Sequence, residues 1–541
     1  MIAEQLTENL QTAGIDTTQT PIDEAELHRE VLIERNFDIF VIRHTGLEEP
    51  DALRSLLHSD YVGEQGWQNP FSFSDPTADE SLDDQRAAAG DERLSTFDDL
   101  FSYLVQDETT PYTVAVYHDH IGAKRTEMGL STVPYTPEEH VQAMFDPPDS
   151  ESEERPLRIG LFGQQFVSRL NPIVVDLTDV NTILGLLYDP LTRRIDGEYV
   201  PWLADEIEWA EDEDDGGSVE ATVTLREGVN WHDGEPLEAS DVEFTYNFLK
   251  DTSLGDAENP VTAPRYRGRQ TLIEDVTAVD RRTVTFEFES TSQEVAQWAL
   301  TVPLLPEHIW DEQRELVNDQ QTAALTWDNE EPVGSGLFEF VDADGDAQLE
   351  LALFEEHVML SSILDDLDGV PEEEDAGDLN GGFEETSSYE GLSFEVYPNE
   401  GAALDSLIDH DIDVIANEMS IDMLETIEEE SDSVQPIIRE TPSFYMIGFN
   451  DRHSALSNRR FRGVVSRLLD RDYIVEEFFD GHATRPERES ELLGLHPSVW
   501  EANGRTAPIT FPGDAGELDE AQTRELFEEA GYTYSNGDLI E

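Results

Sequence analysis

The sequence predicts an α/β protein divided into two lobes, on three observations. At 541 residues the chain is too long for one hydrophobic core. Period-2 and period-3.6 apolar patterns alternate along most of it, the mark of strands interleaved with helices. Two acidic, low-complexity stretches, 146–156 and 365–390, interrupt those patterns and read as linkers.

Taken in order, Ile2, Leu6, Leu10 and Ala13 recur at helical spacing, with Gly14 placed as a C-cap. A strand is expected over 37–42, and the polar run 63–90 reads as loop. Residues 113–117 (TVAVY) follow Pro111 as a β run. Behind the first linker come strands at 157–162, 221–226 and 283–289, with an amphipathic helix at 240–249. Behind the second come strands at 393–397 and 444–449, and helices at 402–408, 461–469 and 521–530.

Charge narrows the environment. There are 122 acidic residues against 32 basic ones, a net charge of -90, and only Lys124 and Lys250 are lysines. Such a surface repels itself in dilute buffer. At molar salt the screening length falls to about 3 Å, so the sequence reads as salt-adapted. Strand and helix patterns speak against an acidic disordered chain. Nucleic acid is excluded as a general partner, since counterion release needs a basic face. With no cysteine there is no disulfide and no thiolate chemistry. No apolar run reaches membrane-helix length, and residues 1–15 show neither a basic n-region nor an apolar h-region.

One block carries the strongest signal: residues 225–246, LREGVNWHDGEPLEASDVEFTY. A strand, a tight His-Asp-Gly turn and a helix resemble a block of the peptide/nickel-type (family 5) extracellular solute-binding proteins of ABC transporters. Glu238 stands where that family usually has a threonine N-cap, a poorer start for the helix. Further blocks resemble the family in its own order: YDPL at 188–191, GEYVPWLA at 197–204, LPEHIW at 305–310, PVGSGLF at 332–338 and the Asp411-Ile412-Asp413 turn. With the charge, the resemblance is to a haloarchaeal-like member.

Residues 1–125 resemble the family's C-terminal portion, so the order looks permuted. Either one chain folds as a permuted two-lobed protein, or the sequence is a window on a tandem or misassembled gene. The resemblance implies the large periplasmic-binding-protein-like fold with an extra subdomain in its first lobe and an interlobe cleft. The expected parts are 1–107 in the second lobe, 108–126 as a return strand to the first, 127–156 as acidic linker, 157–390 as first lobe and 391–541 as second lobe.

It also implies a solute-binding component outside the membrane, delivering a peptide or similar polar solute to ABC permease subunits. It implies no enzyme activity, no cofactor, no metal and a monomer. Oligosaccharide or another non-peptide solute is the alternative ligand, and a cleftless cell-surface structural protein the alternative class. Matched residue by residue, His44 stands where peptide-binding relatives have a Trp, and Leu47 where they have the Asp that pairs with the peptide amine. Glu48 or Glu49 serves only if the loop shifts. The expected ligand-binding residues are Arg43, His44, Thr45 and Gly46 with Tyr445, Phe449 and Asn450. Arg43 either faces the ligand or pairs with a surface carboxylate. One face of 443–450 is expected to pack the core and the other to meet ligand. His118 and His120 would share one strand face, as a metal site needs, but no third ligand at telling spacing accompanies them.

Overall fold

The computed structural model describes residues 1–106, 109–145, 155–163, 167–175, 181–195, 197–212, 218–289, 291–365, 389–429, 432–500 and 509–540. Both expected linkers lie outside the described residues except at their edges. By contacts the chain divides into two compact units: residues 1–119 with 440–541, and residues 120–439. The expected α/β class and the division in two are therefore what the structure has.

Unit 1 is built on a four-stranded antiparallel sheet, in the order Ile39–His44, Phe444–Phe449, Tyr112–His118, Ala483–Thr484. Its two central strands, Phe444–Phe449 and Tyr112–His118, are covered on both faces. One face packs Ile447 and Phe449 against Leu6 and Leu10 of the helix Ile2–Thr12, with Phe461, Val465 and Phe527. The other stacks Phe40, Phe71 and Tyr112, with ring centroids 6.0 and 5.2 Å apart. The first helix ends as its sequence asks. Gly14 takes φ +84°, and a side chain there would overlap the carbonyl oxygen of Gly537.

Three expectations in this unit shift. The first strand spans Ile39–His44, two residues later than read. The run 63–90 is not all loop: Pro76–Ala87 is a helix, capped by the Asp75 carboxylate, which accepts from the N–H groups of Thr77 and Ala78. An Asp cap with Pro at the first helical position was the overlooked signal. The stretch 127–156 is not all linker either. Pro137–Phe145 is a helix in the second unit, with His140 and Val141 fully buried. It opens with a capping box: Glu139 accepts from the Thr136 N–H at 3.1 Å, and the Thr136 hydroxyl accepts from the Glu139 N–H at 3.3 Å.

Unit 2 holds a seven-stranded mixed sheet, in the order Phe338–Ala343, Gln348–Leu353, Leu392–Tyr397, Leu157–Phe162, Val414–Ile415, His120–Arg125, Val434–Arg439. A separate antiparallel sheet joins Ala204–Asp212, Ser218–Leu225, Thr283–Phe288 and Ile273–Ala278. The expected boundary at 391 is corrected. Leu392–Tyr397 pairs in parallel with Leu157–Phe162, so 391–439 belongs with the stretch before it. The expected return segment 108–126 likewise splits between Asp119 and His120.

Motif residues that look chemical prove to be fasteners. His232 is half-buried; its Nδ1 accepts from the Gly334 N–H at 3.2 Å and its Nε2 donates to the Gly336 carbonyl at 3.0 Å. A side chain at Gly334 or Gly336 would strike the carbonyl oxygen of Leu187 or Leu186. The HDG, GSG and YDPL blocks thus lock together. The helix Ala239–Lys250 starts through Asp241, whose carboxylate accepts from the Glu238 N–H at 2.9 Å. Arg281 holds the Glu238 carboxylate at 2.6 Å.

Candidate functional site

Alternation along Ile39–His44 sorts the expected residues between the two faces of the sheet. Phe40, Ile42 and His44 are buried, while Ile39, Val41 and Arg43 are half-buried on the opposite face. Antiparallel register sets Arg43 opposite Tyr445 and His44 opposite Phe444.

His44 is therefore a core residue, which corrects the expectation that it faces a ligand. Its ring stacks on Phe444 (centroids 5.0 Å apart, 15° between planes) and meets Trp67 edge-on at 4.5 Å. Nδ1 accepts from the Gly46 N–H at 3.0 Å, so the proton sits on Nε2. Burial pulls its pKa down to about 3, with His28 adding a smaller push. Gly46 takes φ +106°, and a Cβ would lie 2.8 Å from the Pro442 ring, so only glycine fits. Thr45 is exposed, and its carbonyl accepts from the Ser443 hydroxyl at 3.4 Å.

Tyr445 is half-buried, 5.1 Å from the His118 ring and 5.8 Å from Phe479. The sheet thus brings Arg43, Thr45, Gly46 and Tyr445 to one end. Phe449 and Asn450 lie at the other, opposite Ile39 and Asp38. Phe449 is fully buried in the core, a correction to its expected ligand contact. Asn450 fixes a turn: its Nδ2 donates to the Phe37 carbonyl at 2.8 Å and its Oδ1 accepts from the Arg452 N–H at 3.1 Å. Leu47 is buried, and Glu49 is buried against Arg93 at 2.6 Å, so Glu49 is no substitute for the missing Asp. Glu48 is exposed.

Sequence reasoning missed the groups gathered at the same end of the sheet. Phe444 meets Tyr117 at 5.6 Å, and Tyr117 meets His496 at 5.2 Å. His496 lies 3.7 Å from Glu440, and Asp119 lies 3.8 Å from His482. Burial raises the Asp119 carboxyl; His482 opposes the rise and Glu440 adds to it. These residues come from segments more than three hundred positions apart, so no local pattern announces them. His118 and His120 end one strand and begin another, in different units. Among the described residues no group of three or more His, Cys, Asp or Glu is placed to hold a metal.

Against known families, residues 198–541 match the model described as bacterial extracellular solute-binding proteins, family 5, middle. That is well over half of the chain. It belongs to this family. A putative ABC transporter peptide-binding protein of Brucella ovis is 24% identical over 311 residues, 57% of this chain and 49% of the relative. The oligopeptide-binding protein AppA of Bacillus subtilis is 23% identical over 367 residues, 66% and 56%. The chain thus spans about half the length of the curated relatives it matches. Among solved structures, AppA of Bacillus subtilis in complex with a nonapeptide aligns at 18% identity with TM-score 0.49, covering 72% of this chain and 67% of that one. NikZ of Campylobacter jejuni in complex with Ni(L-His) aligns at 16% identity and TM-score 0.47, covering 72% and 66%.

Proposed function

We propose that this chain is the solute-binding component of an ABC importer, taking up a peptide or similar polar solute outside the membrane and passing it unchanged to permease subunits. The observation that carries the reading is the family match over 198–541. The Brucella ovis and Bacillus subtilis relatives are named as peptide-binding proteins, which favours peptides among the possible solutes.

Arg43 and Tyr445, with Thr45, Gly46 and the exposed Glu48, form the part of unit 1 we assign to ligand contact. The peptide amine would need a partner other than Leu47. Residues 1–119 in this reading supply what elsewhere in the family follows the segment ending near 541, a permuted order supported by their sharing a unit with 440–541. The net charge of -90 supports a salt-adapted, haloarchaeal-like member acting as a monomer.

Mass spectrometry of solute co-purifying with the protein in molar salt tests the proposal. A peptide set released unaltered is expected. Chemically altered solute would replace the reading with an enzyme. No ligand and no ligand-induced rise in melting temperature would favour a structural protein.

A further inference from the structure

Unit 1 contains a cavity of about 730 Å³ whose lining residues all belong to that unit. Its volume lies in the range of small-molecule sites. Behind its inner wall sits Arg471, 6% exposed. The guanidinium donates to the Val114 carbonyl at 3.0 and 3.1 Å, to the Ser466 carbonyl at 3.1 Å and to the Thr113 hydroxyl oxygen at 3.0 Å. Among the described residues no carboxylate pairs with it, although the chain carries 122 acidic residues. Burial alone acts on this group and lowers its pKa to about 10. A buried, un-neutralised cation is costly unless something offsets it.

Thr113 transmits that charge. Its Oγ accepts from Arg471, so its own hydrogen must point elsewhere, and it lines the cavity at 3% exposure. A hydroxyl polarised in this way is a donor for an anionic acceptor. Arg467 adds a second positive group to the wall. The opposite character appears on the helix Glu520–Glu529, where Glu525 and Glu529 line the same cavity. Glu489 joins them, its carboxylate held by the Gln106 side chain at 2.7 Å and Ser102 at 3.1 Å.

We propose that this cavity is a second binding site, within unit 1, for a zwitterion of amino-acid to short-peptide size, its carboxylate at the Thr113 hydroxyl that Arg471 polarises from behind and its ammonium at Glu525 and Glu529.

Isothermal titration of the full chain in molar salt with trialanine, N-acetyl-trialanine and trialanine amide tests this. Trialanine is expected to bind at the cavity, and both blocked forms at least tenfold more weakly. Thr113→Val removes the donor, and Gln522→Trp fills the cavity from an exposed position on the helix. Each variant should lose the cavity's component of the trialanine isotherm and keep the component that belongs to the contact assigned to Arg43. Failure at this site is thus separable from failure of the ligand contact assigned to Arg43. Unchanged trialanine binding by Gln522→Trp overturns the proposal whether or not Thr113→Val folds. So does an absence of binding by the unaltered chain, or equal binding of all three peptides.

Discussion

The backbone N–H of Leu539 donates to the carbonyl of Gly14 at 2.9 Å, tying the closing hairpin to the end of the first helix. Gly14 has no room for a side chain, because the Gly537 carbonyl occupies that space. Gly14→Ala is expected to destabilise unit 1 by about 1–3 kcal/mol, from positive-φ strain and the clash together. Chemical denaturation in molar salt measures it. Unchanged stability would mean that the two ends of the chain do not meet in solution.

Acidification should weaken the fold between pH 7.5 and 5.5. Burial holds His44 at about 3, and His140 and His232 at about 4. An unfolded histidine titrates near 6.5. Below that value the unfolded chain binds more protons than the folded one, so stability drops as pH falls. Denaturation midpoints at the two pH values check the sign, and His44→Gln should flatten the slope.

Asp413 is fully buried and meets three arginines: Arg155 at 2.5 Å, Arg125 at 3.0 Å and Arg158 at 3.5 Å. Burial alone would raise its pKa, but the hydrogen bonds and charges of Arg155 and Arg158 outweigh it and hold the carboxyl below its usual range. Asp413→Asn removes the buried anion that the three share, while Arg125 keeps Glu127. We expect a loss of about 3–5 kcal/mol, read from the melting of unit 2. A loss below 1 kcal/mol would show that water reaches the cluster.

Arg43→Ala should weaken ligand binding without unfolding the chain, since Arg43 is half-buried at the sheet's end. Phe449→Ala should do the reverse, costing about 3–5 kcal/mol of stability with affinity intact in the folded fraction. Calorimetric titration beside thermal melting separates the two. Equal affinity loss in both would return Phe449 to the ligand.

Salt sets the last expectation. With a net charge of -90, structure should be lost below about 0.5 M salt. Circular dichroism across a salt series checks it; a cooperative melt in dilute buffer would contradict it.

The patterns in the sequence were legible wherever one periodic face met one core. Ile2, Leu6 and Leu10 are buried as their spacing implied, and the strand Leu157–Phe162 begins and ends where it was read. Polar helices were harder. Pro76–Ala87 buries only Ala78, Leu82, Gln85 and Arg86, so its apolar stripe was too thin to register and only its cap announced it. Sheet membership was not legible at 391–439, because parallel pairing leaves no local mark. The candidate site was read by matching a strand two residues early, and a one-sided alternation was assumed for a strand packed on both faces. The match placed His44, and the assumed alternation Phe449, against the ligand, when each completes a core.

Unit 2 is one uninterrupted stretch, whereas unit 1 is assembled from both sides of it. During synthesis the strands Ile39–His44 and Tyr112–His118 emerge without Phe444–Phe449, the strand that lies between them. At roughly 5–20 residues per second they wait on the order of half a minute for it. Throughout that interval the nascent chain exposes three unsatisfied strand edges, one on Ile39–His44 and two on Tyr112–His118, a template that other chains could pair with.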